Sequence, residues 1–498
     1  MFSKFKTKLG TPGHWRFSRG ERKGLAVALC VILGFGVNLE QRTALRRTPM
    51  TDLGVFACAA GAVRSHDNLY TISDWHGWHY QYPPALAILF APFAHPVPTI
   101  PPSLPPGVLR TASNTPWGYA IDTPGRFYGL HEQNLRFFWI VGAWYLISVF
   151  LICFSAHALA CALEGAHLRS PPPNTSGERH RWWARRTWPL LVCLVSLGTE
   201  LSRGQVDVLM LAAIAMGLYL AVTAREFKAG VCLSFPATVK LFPPFLLLYP
   251  IWHRRWRMTT GVVAGLVLAL VILPVVALGP KRTVELYRLW TEVLAKPALG
   301  HGTDTSRAQE LTGMTATDNQ SLLAFIHNWR YHALPRELRP AEAAPGERYA
   351  VYGIGTLMLF GIGLAGGLRR RDTPRELLLI SGLLIGLAFV MSPIVHHFYY
   401  LVLLPLIVAL IDYGLAEGAR RRTIFKLRVT LIVFMVIDFL ARMPTVGAYL
   451  RDLGLPLLSL IAMMVAGVMV LLEQRRGSST MGASDAIPSA AERPVPPA

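Results

Sequence analysis

The stretch KGLAVALCVILGFGVNLE, residues 23–40, decides the class of fold. Basic residues crowd the segment before it, 1–23, and its apolar core runs from Leu25 to Val37. A cleaved signal peptide would close such a core with a small-x-small site, and this chain has none there. The pattern therefore predicts an uncleaved first transmembrane helix that enters the membrane from the cytoplasm.

Composition extends this prediction to the whole chain. Of 498 residues, 52% are hydrophobic and only 16% are charged, yet 49 Lys and Arg against 29 Asp and Glu leave a net charge of +20. An average globular protein is roughly a quarter charged. These values argue against a soluble enzyme, a disordered chain and a nucleic-acid binder. The six cysteines form no CxxC or Cys/His zinc pattern, and we expect no disulfide framework.

Hydropathy predicts an all-α integral membrane protein, a polytopic bundle of about 10–12 transmembrane helices. After the first helix, the predicted spans are 134–162, 187–201, 205–223, 258–279, 349–368, 375–392, 396–413, 427–442 and 453–473. The stretch 229–252 contains Lys240 and several prolines, so it is interpreted as a hairpin of two half-helices. The apolar run 85–94 is too short for a span and is assigned to an interfacial or re-entrant helix.

The distribution of positive charge gives the orientation. The proposed cytoplasmic segments hold 29 Lys and Arg in 104 residues, whereas the proposed outer segments hold 19 in 183 residues. The positive-inside rule therefore places both termini in the cytoplasm. The predicted organisation is a basic N-terminus, a membrane domain with two long extracytoplasmic loops, and a disordered cytoplasmic tail. In residue numbers these are 1–23, 24–473 (outer loops 41–133 and 280–348) and 474–498, with a Pro-rich insertion near 96–131 in the first loop.

Asp52 follows the first span directly. It precedes an Ala-rich stretch with helical character, so it is a candidate helix N-cap. It is also a candidate general base at the mouth of a cavity in the bundle. Composition alone favours the cap.

The segment 65–84 is rich in Trp, Tyr and His and includes Tyr70 and Tyr82. An interfacial aromatic belt explains it as well as a functional loop does. Asp74, His76 and His79 match no strong metal-binding pattern, and we predict no metal site and no cofactor.

Two further polar groups lie next to apolar runs. Arg203 and Gln205 form either a simple polar turn or a short loop that offers them to a polar ligand. Lys240 lies between two apolar half-segments, where a charged side chain is expensive unless it reaches the interface or has an anionic partner. A phosphate would be such a partner.

The last candidates lie in two later segments. Asn319 and Gln320 precede Ser321 at the start of an apolar run, where a helix N-cap is the simpler interpretation. His396 and His397 stand two residues before Tyr399. They are either interfacial anchors or groups that bind a phosphate or a sugar.

Taken in order, these motifs resemble glycosyltransferase family 87, bacterial polyprenyl-phosphate-mannose-dependent transferases of GT-C fold. The resemblance covers residues 25–472, apart from the insertion. It rests on Asp52 with Phe56, Leu69-Tyr70 with Tyr82-Pro83-Pro84, Gly204-Gln205-Val206-Asp207, Lys240 with Pro243, Asn319-Gln320-Ser321, and Ser392-Pro393 with His396-His397-x-Tyr399. The family more often has Tyr at position 56 and Asn at position 207.

The resemblance implies a GT-C-type helical bundle in the bacterial cytoplasmic membrane. It implies transfer of a hexose, mannose first, from a polyprenyl-phosphate donor to a glycolipid or glycan acceptor, with inversion. Asp52 becomes the expected base. The expected donor-binding residues are Lys240, His396, His397, Arg203, Gln205, Asn319 and Gln320, and the expected acceptor- or loop-positioning residues are Tyr70, Tyr82 and Tyr399.

Two other functions use the same residues. A transporter or flippase would move a lipid-linked sugar without bond chemistry, and an inactive relative would use its outer loops to bind a partner. A nucleotide-sugar donor is disfavoured, because the chain has no nucleotide-binding domain and no DxD metal motif.

Overall fold

A computed structural model shows a helical protein, and no strand occurs among the residues it describes. These are 17–43, 52–70, 78–94, 132–240, 243–299, 301, 313–367, 373–417 and 419–484. The prediction of an all-helical, multi-pass membrane protein is confirmed. The predicted insertion at 96–131 lies outside the described residues.

The first half of the chain contributes nine described helices, and these carry the first charged residues of the candidate site. They are α1 Arg19–Arg42, α2 Leu53–Ser65, α3 Pro84–Phe90 with a 3-10 turn Ala91–Phe93, α4 Glu132–Glu164, α5 Ser176–Val192, α6 Leu194–Arg203, α7 Asp207–Val222, α8 Glu226–Val239, and α9 Leu248–Trp252 after a 3-10 turn Pro243–Leu247.

The second half of the chain contains eleven described helices. Its helices are α10 Trp256–Val267, α11 Leu273–Leu278, α12 Pro280–Trp290, α13 Lys296–Ala298, α14 Leu322–Arg330, α15 Pro345–Gly366, α16 Pro374–Met391, α17 Leu404–Gly414, α18 Arg421–Leu440, α19 Val446–Asp452 and α20 Leu455–Ser484. Two π-helical segments, Leu268–Ile272 and Thr291–Ala295, join α10 to α11 and α12 to α13, and two 3-10 turns cover Arg336–Leu338 and His397–Leu403.

Seven described helical segments are long and apolar enough to cross a membrane. They are Arg19–Arg42, Phe138–Glu164, Trp256–Leu278, Pro345–Gly366, Pro374–Met391, His397–Gly414 and Leu455–Arg475. Each corresponds to one of the ten full spans predicted from hydropathy.

The other three predicted spans have a different character. The stretch 187–201 is divided between α5 and α6 at Cys193, after a proline inside α5. Helix α7 is apolar but has only 16 residues. Helix α18 has 20 residues but carries Lys426, Arg428 and Asp438. Hydropathy averaged over a window does not register these breaks and charges.

The chain turns back at Lys240, as the prolines predict. Helix α8 ends at Val239, and a 3-10 turn begins at Pro243. A Cβ atom on Gly230 would overlap the carbonyl oxygen of Met258, so the beginnings of α8 and α10 lie against each other. Small residues permit such close helix packing in membranes. The segment between them therefore forms the predicted hairpin, with Lys240 near its tip.

Two other segments differ in detail from their predictions. The run 85–94 forms the short helix α3, which packs on α2 and buries Leu86 and Ile88 within the protein. Helix α20 extends past the apolar run as one continuous helix and ends at Ser484. It therefore enters the tail 474–498, which the sequence predicts to be disordered. Residues 485–498 lie outside the described part.

Ion pairs hold the helices together at the end of the bundle opposite Asp52. Asp412, at the end of α17, accepts from Arg185 Nε and pairs with Arg375 Nη2, both at 2.7 Å. Arg186 pairs with Glu164, at the end of α4, at 2.8 Å. The carboxylates on α4 and α17 thus bind arginines of α5 and α16. These ion pairs fix the positions of the four helices relative to one another. We call these five residues the paired arginine network.

Candidate functional site

A cavity of about 270 Å³ opens at the end of the bundle where Asp52 lies. Its walls come from five places: the start of α2, the α6–α7 turn, and the connections 78–82, 313–319 and 394–399. Seven of the eleven residues predicted to form the site line it, and these are Asp52, Tyr82, Arg203, Gln205, Asn319, His396 and Tyr399. Lys240, His397, Gln320 and Tyr70 lie outside its lining.

The α6–α7 turn brings Asp52, Arg203 and Gln205 together. Gly204 ends α6 in the left-handed region, with φ of 66°, which glycine adopts without strain. The backbone N–H of Asp52 donates to the carbonyl of Arg203 at 3.0 Å, so α2 starts directly against this turn.

The side chain of Asp52 lines the cavity and does not cap α2 through a hydrogen bond. It occupies the N-cap position of α2, but its side chain makes no capping hydrogen bond. Gln205 Nε2 donates to Asp52 Oδ2, and Arg203 Nη1 lies 4.0 Å from the same oxygen. Both contacts hold the carboxylate at the wall of the cavity.

Lys240 lies behind the side chains that line the cavity. Its Nζ is 2.6 Å from Asp207 Oδ1, and both side chains are buried. It also lies 4.1 Å from the ring centre of Tyr399 and 5.7 Å from that of Tyr82. Glu200 is buried within electrostatic range of Asp207 and Lys240. The lysine therefore has a protein carboxylate as its anionic partner, with two tyrosine rings between it and the cavity.

The tyrosines form a connected layer. Tyr70 OH donates to the carbonyl of Tyr82 at 3.1 Å, so Tyr70 supports the connection that carries Tyr82. Burial raises the pKa of Tyr82, and the neighbouring Lys240 lowers it by a smaller amount. Tyr82 therefore keeps its phenolic proton at physiological pH and is a hydrogen-bond donor.

Asn319 and its neighbours tie two connections together. Asn319 Nδ2 donates to the carbonyl of Pro393 and Asn319 Oδ1 accepts from Val395 N, both at 3.1 Å. Ser321 is the N-cap of α14, its hydroxyl accepting from the N–H of Ala324. These contacts show a positioning role for Asn319 in addition to its place in the cavity wall.

Gln320 points away from the cavity. Its side-chain amide donates to the carbonyls of Thr317, at 2.9 Å, and Arg451, at 3.1 Å. This geometry joins α14 to the end of α19 and leaves any contact of Gln320 with a ligand as a prediction from the sequence.

The two histidines occupy different environments. His396 lines the cavity, and its Nδ1 lies 3.2 Å from the carbonyl oxygen of Asp318. Burial lowers the pKa of His396 to about 4, with the nearby carboxylate of Asp318 acting in the opposite direction. It is therefore a neutral hydrogen-bonding group near pH 7. His397 is buried beneath it, close to Arg442.

Sequence reasoning missed several residues of the site. Trp78, Asp318 and Phe398 line the cavity without having been assigned to it, and Phe56, quoted only as part of the Asp52 motif, lines it too. The Arg203 guanidinium lies 4.9 Å from the ring centre of Phe398. Glu200 had a visible signal, because a carboxylate inside an apolar helix is rare and usually functional or paired. Asp318 and the aromatic residues are ordinary for a loop, and only the fold brings them together.

Within the described residues, no three His, Cys, Asp or Glu side chains lie close enough together to bind a metal ion. Asp74 and His76, weighed above as ligands, lie outside that part of the chain. The cavity wall contains two carboxylates, Asp52 and Asp318, with one guanidinium, amides, imidazoles and aromatic rings, a set suited to a sugar and to general-base chemistry.

Comparison with known proteins identifies the family. The profile of glycosyltransferase family 87 matches residues 80–335, slightly more than half of the chain. The match includes Tyr82, Arg203, Gln205, Lys240 and Asn319. No curated protein and no solved structure matches the chain. With the ordered motifs and the membrane bundle, this match establishes that the chain belongs to glycosyltransferase family 87.

Proposed function

We propose that this membrane glycosyltransferase takes a hexose, mannose first, from a polyprenyl-phosphate donor and transfers it to a glycolipid or glycan. The reaction takes place on the extracytoplasmic side of the bacterial cytoplasmic membrane, with both termini of the protein in the cytoplasm. The observation that carries the proposal is the Asp52 carboxylate, which faces a cavity at one end of an apolar helical bundle. Family membership supports glycosyl transfer as the reaction.

The donor chemistry explains why one carboxylate is sufficient. A polyprenyl-phosphate sugar carries a phosphate leaving group, so departure needs no general acid. The acceptor hydroxyl does need a base, and Asp52 is positioned by Gln205 to accept its proton. Attack on the face of the anomeric carbon opposite the phosphate inverts its configuration.

The other cavity residues have roles that follow from their chemistry. Arg203 lies beside Asp52 and offers a fixed positive charge to the donor phosphate. Gln205, Asn319, His396 and Tyr399 offer hydrogen bonds to sugar hydroxyls, and Tyr82 contributes a ring on which a sugar face can rest. Lys240, His397 and Gln320 lie outside the cavity lining. For them, donor binding requires either a rearrangement that brings the side chain into the cavity or an effect passed through a lining residue.

Turnover by the purified full-length protein tests the proposal. The protein is reconstituted in liposomes with radiolabelled polyprenyl-phosphate mannose and a mannolipid acceptor, and the products are analysed for a new glycosidic linkage. We expect a linkage with the lipid-linked donor and none with a nucleotide-activated mannose. Movement of intact donor across the bilayer without a new linkage would identify a transporter and overturn the proposal.

A further inference from the structure

Helix α18 carries four positive charges at the end of the bundle where the paired arginine network lies. Arg421 and Arg422 belong to its first turn, and Lys426 and Arg428 follow within the next two turns. All four side chains are exposed, and none has an ion-pair or hydrogen-bond partner among the residues that the structure describes. We call Arg421, Arg422, Lys426 and Arg428 the cationic face of α18.

The neighbouring Arg420 differs because the chain provides its counter-ion. Its Nε lies 3.1 Å from Glu473 of α20. Glu473 also accepts from the hydroxyl of Thr423 at 2.7 Å, so this carboxylate already has two partners. Residues 421–431 contain no Asp or Glu. Within its described part, the protein therefore supplies no carboxylate for the cationic face.

The rest of α18 presents an apolar surface to the outside of the bundle. The whole helix lies in the described part of the chain, and its only buried side chains are Leu427, Phe434 and Asp438. It therefore contacts the bundle along one narrow stripe. Phe425 is 68% exposed and Phe439 is 54% exposed. From the start of the helix to its end, the outward side thus changes from cations to apolar side chains.

The cationic face extends deeper than the headgroup layer of a bilayer. At 1.5 Å of rise per residue, Arg428 lies about 11 Å beyond Arg421 along the helix axis, whereas the headgroup layer on each side is about 5–8 Å thick. Arg428 therefore borders the hydrocarbon, where an exposed charge must reach back to the headgroups or have an anionic partner. Helical side chains lean toward the N-terminus, so Lys426 and Arg428 extend toward Arg421 and Arg422. All four cations can then meet one headgroup.

We infer that the outward side of α18 binds an anionic phospholipid from the leaflet at this end, which the proposed orientation makes the cytoplasmic leaflet. The phosphate oxygens accept from the guanidinium and ammonium groups of the cationic face. The acyl chains lie along the exposed apolar side chains that follow, as far as Phe439. The order from headgroup to tail in the lipid matches the order from cations to apolar residues along the helix.

Charge complementarity selects the class of lipid. A zwitterionic phospholipid carries its own positive charge next to the phosphate, which four neighbouring cations repel. Phosphatidylglycerol has no such charge and remains a net anion. Basic clusters next to membrane helices favour anionic lipids for this reason. The site is therefore expected to discriminate against phosphatidylcholine.

The bound lipid also has an expected effect on stability, because α18 is attached to the bundle by few contacts. Asp438 Oδ2 accepts from the backbone N–H and the hydroxyl of Ser196 on α6, at 3.1 and 2.8 Å. Helix α6 ends at Arg203 in the cavity wall. A lipid that holds α18 in place therefore stabilises a neighbour of the candidate site. A ligand that binds only the folded state raises the midpoint of thermal denaturation.

The test measures the dissociation constant of the first bound phosphatidylglycerol by native mass spectrometry of the full-length protein. The variant Lys426→Gln/Arg428→Gln is expected to raise this constant about 25-fold, about fivefold for each cation removed. Its matched control is Lys228→Gln/Arg257→Gln, which removes two exposed cations from α8 and α10 at the same end of the bundle. The control is expected to stay within about twofold of wild type.

A charge-conserving exchange keeps the test independent of folding. Lys426→Arg/Arg428→Lys retains both charges and is expected to bind phosphatidylglycerol within about threefold of wild type. Equal loss of binding in the glutamine variant and its control would show a general effect of net charge and would overturn the site. Loss in the exchange variant as large as in the glutamine variant would also overturn it.

Two further ligands identify what the cationic face recognises. Phosphatidylcholine tests the tail with a zwitterionic headgroup, and inorganic phosphate tests the anion without a tail. Thermal stabilisation by phosphatidylglycerol that exceeds both and disappears in Lys426→Gln/Arg428→Gln supports the lipid site. Equal stabilisation by phosphatidylcholine or by inorganic phosphate contradicts it. None of these measurements requires turnover, so failure of the proposed glycosyl transfer would leave their outcome unchanged.

Discussion

Arginines at the two ends of the helical bundle are held by different groups. At one end, Arg185 and Arg375 contact the same buried carboxylate of Asp412 at 2.7 Å. At the cavity end, Arg42 and Arg442 are held by the hydroxyls of two residues of α6. Elsewhere at the cavity end arginine does contact carboxylates, since Arg330 pairs with Glu347 at 3.3 Å and Arg336 pairs with Asp452. The comparison therefore concerns the arginines that are packed against α6.

We expect this difference to matter for stability. A buried carboxylate that receives two arginines neutralises most of their charge and fixes the helices that carry them. A hydroxyl is neutral, so a hydrogen bond to it orients an arginine without neutralising its charge. Net charge alone conceals this distinction, because both groups contribute equally to the total of +20.

The largest expected effect on stability concerns Lys240, a cavity-end cation that is paired like those at the opposite end. Lys240→Met leaves Asp207 buried without its counter-ion, which costs about 3–5 kcal/mol in the free energy of unfolding. Asp207→Asn should cost less than half as much, because Glu200 remains near the lysine. Thermal denaturation in detergent compares the two variants.

The same pair of variants tests the predicted contact of Lys240 with the donor. If the Lys240–Asp207 pair is structural, Asp207→Asn leaves the inhibition constant of polyprenyl phosphate unchanged. Tighter binding in Asp207→Asn would mean that the released lysine reaches the phosphate, and would assign it to the donor site.

A smaller loss of stability is expected from the paired arginine network. Asp412→Asn removes the shared carboxylate from Arg185 and Arg375, whose side chains are 22% and 25% exposed. Water can solvate these arginines in part, so the expected cost is about 2 kcal/mol, below that of a fully buried pair. A lowered midpoint of thermal denaturation with an unchanged donor KM is the expected result, and a raised KM with normal stability would place the network in function.

The smallest effect is expected at Arg442. Arg442→Gln removes one hydrogen bond to Thr199 and also relieves repulsion from Arg42 and Arg203, so the free energy of unfolding should stay within about 0.5 kcal/mol of wild type. The midpoint of thermal denaturation provides the measurement. Destabilisation as large as that of Asp412→Asn would show that both ends use arginine structurally, and the comparison would fail.

Local patterns in the sequence predict much of the fold and part of the site. Apolar runs predict the long helices, and the prolines around Lys240 predict the break there. Asp52, Arg203 and Gln205 are recognisable because polar residues at the edge of apolar segments are rare. Glu200 carried the same signal.

Long-range pairing was not predictable from one sequence. Nothing local to Lys240 indicates that its counter-ion is Asp207, and nothing local to Arg442 indicates that it lies near Arg42. These contacts depend on which helices neighbour α6 and α7 in space. The sequence also could not distinguish the cavity wall from the residues behind it, which is why Gln320 and His397 were assigned with their neighbours to the site.

Asp52→Asn tests the central claim most directly, with Asp67→Asn at the other end of α2 as its control. Rates are measured at saturating polyprenyl-phosphate mannose and acceptor, together with the inhibition constant of polyprenyl phosphate. Because general-base catalysis contributes about 10²–10⁴-fold, kcat for Asp52→Asn should fall by that factor while inhibitor binding and thermal stability stay near wild type. Transfer within about twofold of wild type would contradict Asp52 as the base and, with it, the mechanism proposed for this enzyme.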